Sequence, residues 1–385
     1  MSFIDGIFFM DALSKIEQQV SLQYKTKVTN ISHWNTSIQF QEAMIKELSI
    51  EDHSPPWNYI YTYSVSIEER QAVMRKLGLE QKMLSDYMVL LLQSGTQAII
   101  NVANLIKLYN YRKVCILRPS YFSVSHCFDL FGIKYEYEDI AFINNTAQLP
   151  LNNIMNKGYD CLWITSPIFS TGKSYTMEQC SEFNNLLKQG MLIITDESFS
   201  LPGCELIRYL TPCPNLLSIY CPHKAISLNS VKFSAIICRL EHEDFLEQWV
   251  DVLSGALSKS NCDAIFHFLS SNFDSCYEVY RQYIYQAKKM VEGILEPYKN
   301  AYIIESDKIS GQYVTVFWKG LAASIGNDLN FYSKLVSKTK ASFYPGSLSG
   351  FSIETLSFRI NLTLSYSELS YSVSQIAEFL HNYAV

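Results

Sequence analysis

The chain has no surplus of positive charge, no closely spaced cysteine pair and no long apolar run. Its 31 Lys and Arg face 37 Asp and Glu, a net charge of −6 over 385 residues. That balance argues against the clustered basic surface that nonspecific nucleic-acid binding needs. Ten cysteines are present. None forms a C-x-x-C pair and none stands at a Cys/His metal spacing, so a disulfide scaffold and a metal centre are both unsupported. Reduced thiols of a cytoplasmic protein are the expectation. The apolar runs around 88–92 and 192–194 are far shorter than the ~18 residues that span a bilayer, so no membrane segment is expected. Residues 1–20 lack a basic n-region and a long apolar core, and read as an amphipathic helix rather than a signal peptide. With 48% apolar and 18% charged residues, bulk disorder is excluded. No internal repeat or low-complexity tract appears. What remains is a chain of enzyme size, long enough for two domains.

From about residue 86, short apolar runs alternate with helical periodicity. MVLLLQ (88–93), KVCILR (113–118), DCLWIT (160–165), MLIIT (191–195), LLSIYC (216–221) and FSAIIC (233–238) read as buried strands. Helical spacing is expected over 97–108 and 177–190, the latter closed by a glycine. Strands that are apolar throughout argue for a mostly parallel sheet covered on both faces. After Glu241 the pattern changes. A long helix is expected over 263–296, then strands at 312–318 and 355–362, a helix near 329–337 and a terminal helix to Tyr383, which together make a smaller α+β domain.

In open α/β sheets, functional residues gather in the loops at the carboxyl ends of the strands. Ser94-Gly95-Thr96-Gln97 follows the first strand and opens a helix, where free amides and the helix dipole favour a phosphate. An ordinary small-residue cap fits the same residues. Tyr121 follows the second strand, and serves either as a pocket floor or as packing. The fourth strand ends in Asp196-Glu197, a pair that is either functional or a cap. The fifth ends in Cys221-Pro222-His223-Lys224, and a lysine just past a buried strand is a candidate nucleophile. Taken in order, a phosphate turn, an aromatic, an acid and a lysine with Lys232 eight residues on meet the needs of pyridoxal 5'-phosphate. That cofactor requires an amine for its aldehyde, a carboxylate for its pyridine nitrogen, amides and a cation for its phosphate, and a ring to stack on.

LQSGTQAI, RPSYF, ITDESF, YCPHKAISLNSVKFS, YPGS and SFRINL resemble, in that order, the motifs of the fold-type I pyridoxal-phosphate enzymes of the class I/II aminotransferase kind, over roughly 55–385. The resemblance implies an aspartate-aminotransferase-like α/β fold: a large doubly wound, mostly parallel sheet domain over 46–285, and a small α+β domain from 1–45 and 286–385. It implies that Lys224 forms the Schiff base and shuttles the proton, and that Asp196 holds the pyridine nitrogen. Gly95, Thr96, Gln97, Cys221, His223 and Lys232 fall at the phosphate or ring, Tyr121 stacks on the ring, and Arg359 clamps the substrate carboxylate bidentately. A tyrosine of the partner subunit reaches the phosphate in this family. Tyr59, Tyr61 and Tyr63 are the candidates, with Tyr61 taken as representative. A homodimer acting on an amino acid and a 2-oxo acid is implied.

The departures are specific. Phe169 stands where the family has the asparagine, and Phe199 where it has the tyrosine, that donate to the cofactor's phenolic oxygen. Unless Ser166, Ser170 or Ser198 substitutes, that oxygen loses both donors. Cys221 replaces a serine and Lys232 an arginine. Three functions therefore compete: transamination; another pyridoxal-phosphate reaction such as elimination, replacement, cyclisation or oxidation; and a cofactor-free binding module of the same fold.

Overall fold

The six apolar runs of the sequence become six of the seven strands of one sheet, one of them at an edge. The computed structural model describes residues 3–33, 37, 71, 73–75, 86–143, 146–226, 232–253, 255, 273–304, 310–351 and 354–383. Its elements in chain order begin with α1 (Phe3–Tyr24), β1 (Thr29–Asn30), β2 (Tyr87–Leu92), α2 (Gly95–Leu108), β3 (Val114–Arg118), α3 (Phe122–Phe131) and β4 (Tyr135–Asp139). There follow β5 (Ala141–Ile143), β6 (Thr146–Gln148), α4 (Leu151–Lys157), β7 (Cys161–Thr165), α5 (Met177–Lys188), β8 (Leu192–Glu197), β9 (Leu216–Tyr220), β10 (Ser234–Arg239) and α6 (Glu243–Leu253). The remainder is α7 (Phe273–Leu295), β11 (Ala301–Ile303), β12 (Tyr313–Trp318), α8 (Leu329–Thr339), β13 (Ala341–Ser342), β14 (Leu356–Asn361) and α9 (Tyr366–Tyr383). Of the long helix expected over 263–296, residues 263–272 lie outside the described residues. None of the described helices is long and apolar enough to cross a membrane.

The chain divides into two compact units, one of Gln41–Phe169 with Ser174–Tyr280, the other of Met1–Phe40, Ser170–Lys173 and Arg281–Val385. The first holds the large sheet, in the order β2-β10-β9-β8-β7-β3-β4. Strands β9, β8, β7, β3 and β4 run parallel, and β10 runs antiparallel to both β9 and β2. Every residue of β2, β7, β8 and β9 is buried, as strands covered on both faces require. Alternate residues Leu192, Ile194, Leu217, Ile219 and Cys221 join the apolar core that also holds Ala98, Val102 and Ile106 of α2. Helix α2 begins at Gly95, two residues before the apolar periodicity suggests. The Ser94 hydroxyl accepts from the Gln97 N–H at 3.3 Å and so caps the helix at Gly95.

Strand β4, at one edge of the sheet, escapes a search for apolar runs because only Glu138 of its five residues is buried. That carboxylate is held by Lys157 Nζ at 2.7 Å and the Tyr159 hydroxyl at 3.0 Å. Charged residues along an edge also discourage pairing with another chain.

The second unit has the antiparallel sheet β11-β12-β14 and the parallel pair β1-β13. Its core is aromatic: Phe343 stacks on Phe358 at 4.3 Å, and Tyr332 meets Phe9, Phe331 and Phe343 edge-on at 5.1, 5.3 and 5.4 Å. Residues 170–173 join this unit through backbone contacts. Thr315 Oγ1 donates to the Ser170 carbonyl at 2.7 Å, and the Ser310 N–H to the Gly172 carbonyl at 3.2 Å. Gly172 has φ +68°, and a Cβ there would lie 2.5 Å from the Tyr313 carbonyl oxygen. Both facts demand glycine. Gly172→Ala is therefore expected to cost about 2 kcal/mol or more of stability, through left-handed strain and the backbone clash. Urea unfolding checks this, and an unchanged midpoint would contradict it.

Candidate active site

Strand alternation places the two adjacent carboxylates of β8 on opposite faces of the sheet. Asp196 shares the parity of Leu192 and Ile194, the face packed against α2. In the sheet it lies between Thr165 of β7 and Ile219 of β9. The Ser198 N–H donates to its Oδ1 at 3.1 Å. Burial raises its pKa, opposed by the Ser198 hydroxyl and by the charge of Lys224. Glu197 takes the other face, where Oε2 accepts from Ser200 Oγ at 2.7 Å and Leu206 N at 3.1 Å, and Oε1 from Ile207 N at 2.9 Å. It anchors the loop that follows β8.

The α2 side is where the sequence candidates converge. Past β9 the chain closes a tight turn in which the Lys224 N–H donates to the Cys221 carbonyl at 3.0 Å. Around the first residue of α2, a Cβ on Gly95 would lie 3.1 Å from Cys221 Sγ, 3.4 Å from Ser198 Oγ and 3.8 Å from Lys224 Nζ. A thiol, a hydroxyl and an amine thus border one helix N-terminus, and the missing side chain keeps the space open. Cys221 Sγ donates to Ser198 Oγ at 3.4 Å. Burial raises the thiol's pKa, against a downward pull from Lys224 and Ser198. Cys221 is therefore a neutral donor rather than a thiolate. Lys224 Nζ rests 4.2 Å from the centre of the Phe199 ring.

The other candidates distribute unevenly. Tyr121 is half-buried beside Phe122 and Phe169, with ring centres 4.7 and 6.1 Å away. His223 is buried, and its Nδ1 accepts from the Phe233 N–H at 3.3 Å. Burial and the charges of Lys224 and Lys232 push its pKa down to about 3. A neutral imidazole that accepts at Nδ1 carries its proton on Nε2. Gln97 turns back on its own loop, its Oε1 accepting from the Gln93 N–H at 3.0 Å. Thr96 and Lys232 are exposed. Tyr59, Tyr61 and Tyr63 lie outside the described residues. Of the three serines named as substitutes for those donors, Ser198 is engaged by Cys221. The Ser166 carbonyl accepts from Ser200 Oγ at 2.8 Å. Ser170 belongs to the second unit.

Arg359 lies in that second unit, on β14 opposite Thr315 of β12. Its Nε donates to the Ser32 carbonyl at 2.9 Å, and its guanidinium carbon is 4.8 Å from the Tyr313 ring centre and 5.8 Å from that of Tyr344. Aromatics scattered through the chain carry no spacing signal, so the motifs gave Tyr313 no role and Tyr344 only a place in YPGS. Tyr344 directly precedes the Pro345-Gly346-Ser347 turn, and that adjacency was the available clue.

The family model for aminotransferase class I and II matches residues 30–376. The chain belongs to that family of pyridoxal-phosphate-dependent transferases. Solved structures agree on the fold. Aspartate aminotransferase from Thermotoga maritima is 16% identical with TM-score 0.76, covering 96% of each chain. Aromatic aminotransferase from Pyrococcus horikoshii is 16% identical with TM-score 0.75, covering 97% of this chain and all of that one. Kynurenine aminotransferase from Pyrococcus horikoshii, solved in complex with PMP, is 11% identical with TM-score 0.76, covering 96% and 94%. A comparison with curated protein sequences gives no match.

Glu197 supplies a pH test of its role as a loop anchor. Burial lifts its pKa from 4.5 to about 7. Between those values the unfolded chain releases this proton first, so the folded state loses stability as pH rises through the window, by roughly 3 kcal/mol in all. Glu197→Gln removes the titration. Urea unfolding at pH 5 and pH 8 is expected to show a smaller loss between the two pH values in Glu197→Gln than in wild type. Equal losses would contradict the assignment.

Proposed function

We propose that this chain is an aminotransferase that holds pyridoxal 5'-phosphate on Lys224 and exchanges the amino group of an amino acid with a 2-oxo acid. The supporting observation is the cradle at Gly95, where thiol, hydroxyl and amine border a helix N-terminus close to the buried Asp196. The residues fit the cofactor's chemistry. The Lys224 amine would bind its aldehyde carbon. Asp196, a buried carboxylate whose ionisation is opposed by burial, would gain from a protonated ring nitrogen what it lacks in solvation. The α2 amides and the Cys221 thiol would meet the phosphate, with Lys232 as its cation and Tyr121 against the ring. His223, fixed as a neutral Nε2–H donor, serves that same end of the site.

When bound, the cofactor supplies an electron sink for bonds to the substrate α-carbon. The rest falls to the chain. Asp196 would keep the ring nitrogen protonated, and Lys224 Nζ would be the base that takes the proton from the substrate α-carbon and the acid that gives it up again. Arg359, oriented through Nε by the Ser32 carbonyl, would grip the α-carboxylate through its guanidinium. The active form is a homodimer.

A second reading has its own observation. Phe199 presents a ring face to Lys224 where the family has a phenol, and Phe169 replaces the second donor. Such a shell suits elimination or replacement at the amino acid. A single assay separates the two. Given amino donor alone, an aminotransferase releases about one equivalent of 2-oxo acid per site and stops, because its amino group has nowhere to go. The proposal expects that single turnover, with turnover restored by added 2-oxo acid. Continuous product formation from donor alone would favour elimination or replacement instead.

A further inference from the structure

The carboxyl end of β7 carries a hydroxyl in the same row of the sheet as Asp196. Strand register pairs Cys161 with Leu192, Trp163 with Ile194 and Thr165 with Asp196. Cys161, Trp163, Leu192 and Ile194 all pack in the core beside α2, so alternation turns Thr165 to the face that Asp196 takes. The Ser166 N–H donates to the Asp196 carbonyl at 2.9 Å, and the Tyr175 hydroxyl to the Thr165 carbonyl at 3.2 Å. The backbone at Thr165 is therefore fixed on both sides. Thr165 is buried, and its Oγ1 has no hydrogen-bond partner among the described residues. The hydroxyls of Thr195, Ser218 and Tyr220 share that condition. They have the parity of Glu197, not of Leu192, Ile194, Leu217 and Ile219, and so lie on the opposite face. Among the described residues of β7, β8 and β9, Thr165 has the one unpartnered hydroxyl on the Asp196 face.

We propose that Thr165 is a positioning residue of the cofactor site, whose hydroxyl donates to the Asp196 carboxylate when that carboxylate holds a protonated ring nitrogen. This rests on the reading that Asp196 meets the pyridine nitrogen. Neighbouring strands run about 4.8 Å apart. From in-register positions on one face, rotation of Thr165 about χ1 is enough to bring Oγ1 onto a carboxylate oxygen. An ionised carboxylate accepts at about four sites. The N–H and hydroxyl of Ser198 account for two. A ring N–H would take the third, and the Thr165 hydroxyl fills the fourth.

Two properties of the hydroxyl favour this use. It destabilises the fold where it stands, because an unbonded polar group in a dry interior has left water and gained no partner. Valine has the same shape and would fill the position without that penalty. The hydroxyl also gains most where charge is present, since bonds to an ionised carboxylate are shorter and stronger than neutral ones. A donor on the adjacent strand would then hold the carboxylate plane toward the ring and stop it from swinging about its own torsions.

The test measures, by calorimetry on the full chain freed of cofactor, the binding of pyridoxamine 5'-phosphate. Its amine stands in place of the aldehyde, so no covalent bond to Lys224 forms. Thr165→Val is expected to weaken binding about tenfold. Thr165→Ser, which keeps the hydroxyl, should stay within about threefold of wild type. In an Asp196→Asn background, which has no carboxylate to hold, Thr165→Val should change the dissociation constant by less than about twofold. Without cofactor, Thr165→Val should unfold in urea at a midpoint equal to or above that of wild type. If Thr165→Val binds the probe like wild type, the proposal is overturned. An equal loss in both backgrounds also overturns it, because the hydroxyl then acts without Asp196. A lower urea midpoint makes the hydroxyl a structural group, with the same consequence. Should Thr165→Val not fold, Thr165→Ala is read in the two backgrounds against the same binding outcomes. If wild type does not bind the probe, or Asp196→Asn binds it as tightly as wild type, the reading of the cofactor site fails and the proposal with it.

Discussion

A carboxylate kept dry at the carboxyl end of β8 is the constraint around which the large unit is arranged. A buried charge is costly unless hydrogen bonds and opposite charge accompany it. Asp196 has the Ser198 N–H on Oδ1 and Lys224 as its nearby cation. Both come from the chain's own topology. Ser198 follows β8 directly, and Lys224 leaves the adjacent parallel strand β9 at the same end of the sheet. The α2 N-terminus reaches that end because β2 joins the sheet through β10. One acid, one amine and one helix end therefore come together from three well-separated stretches of sequence.

The inner strands were legible because burial on both faces leaves an unbroken apolar run. Asp196 and Lys224 were legible because each interrupts or follows such a run, where solvation alone gives a charge no reason to be. The reading of Arg359 rests on its family motif, on a strand whose apolar neighbours mark it as a core strand. What the sequence did not disclose has physical reasons as well. An edge strand such as β4 needs no apolar run. The opposite fates of Asp196 and Glu197 depend on which face of the sheet packs against α2, and adjacency in sequence says nothing of that. The ring of Tyr344 beside Arg359 and His33 is a tertiary contact between residues far apart in the chain.

The departures from the family pattern form a coherent set. By the motif resemblance, Phe169 and Phe199 stand where two hydrogen-bond donors are expected, and Phe199 lies beside the amine of Lys224. Cys221 replaces a serine and remains a neutral donor, its thiol turned to Ser198. On the proposed reading, the acid, the amine and the arginine that would bind the carboxylate persist while the polar groups around them change. That is the pattern of an enzyme whose core requirement is kept and whose fine electrostatics have been reset.

The account stands or falls on Lys224. Purified protein would be incubated with pyridoxal 5'-phosphate, reduced with borohydride, digested and mapped by mass spectrometry. A pyridoxyl adduct on the peptide carrying Lys224, absent in Lys224→Ala, is the predicted result. An adduct confined to other lysines, or none at all, would contradict it.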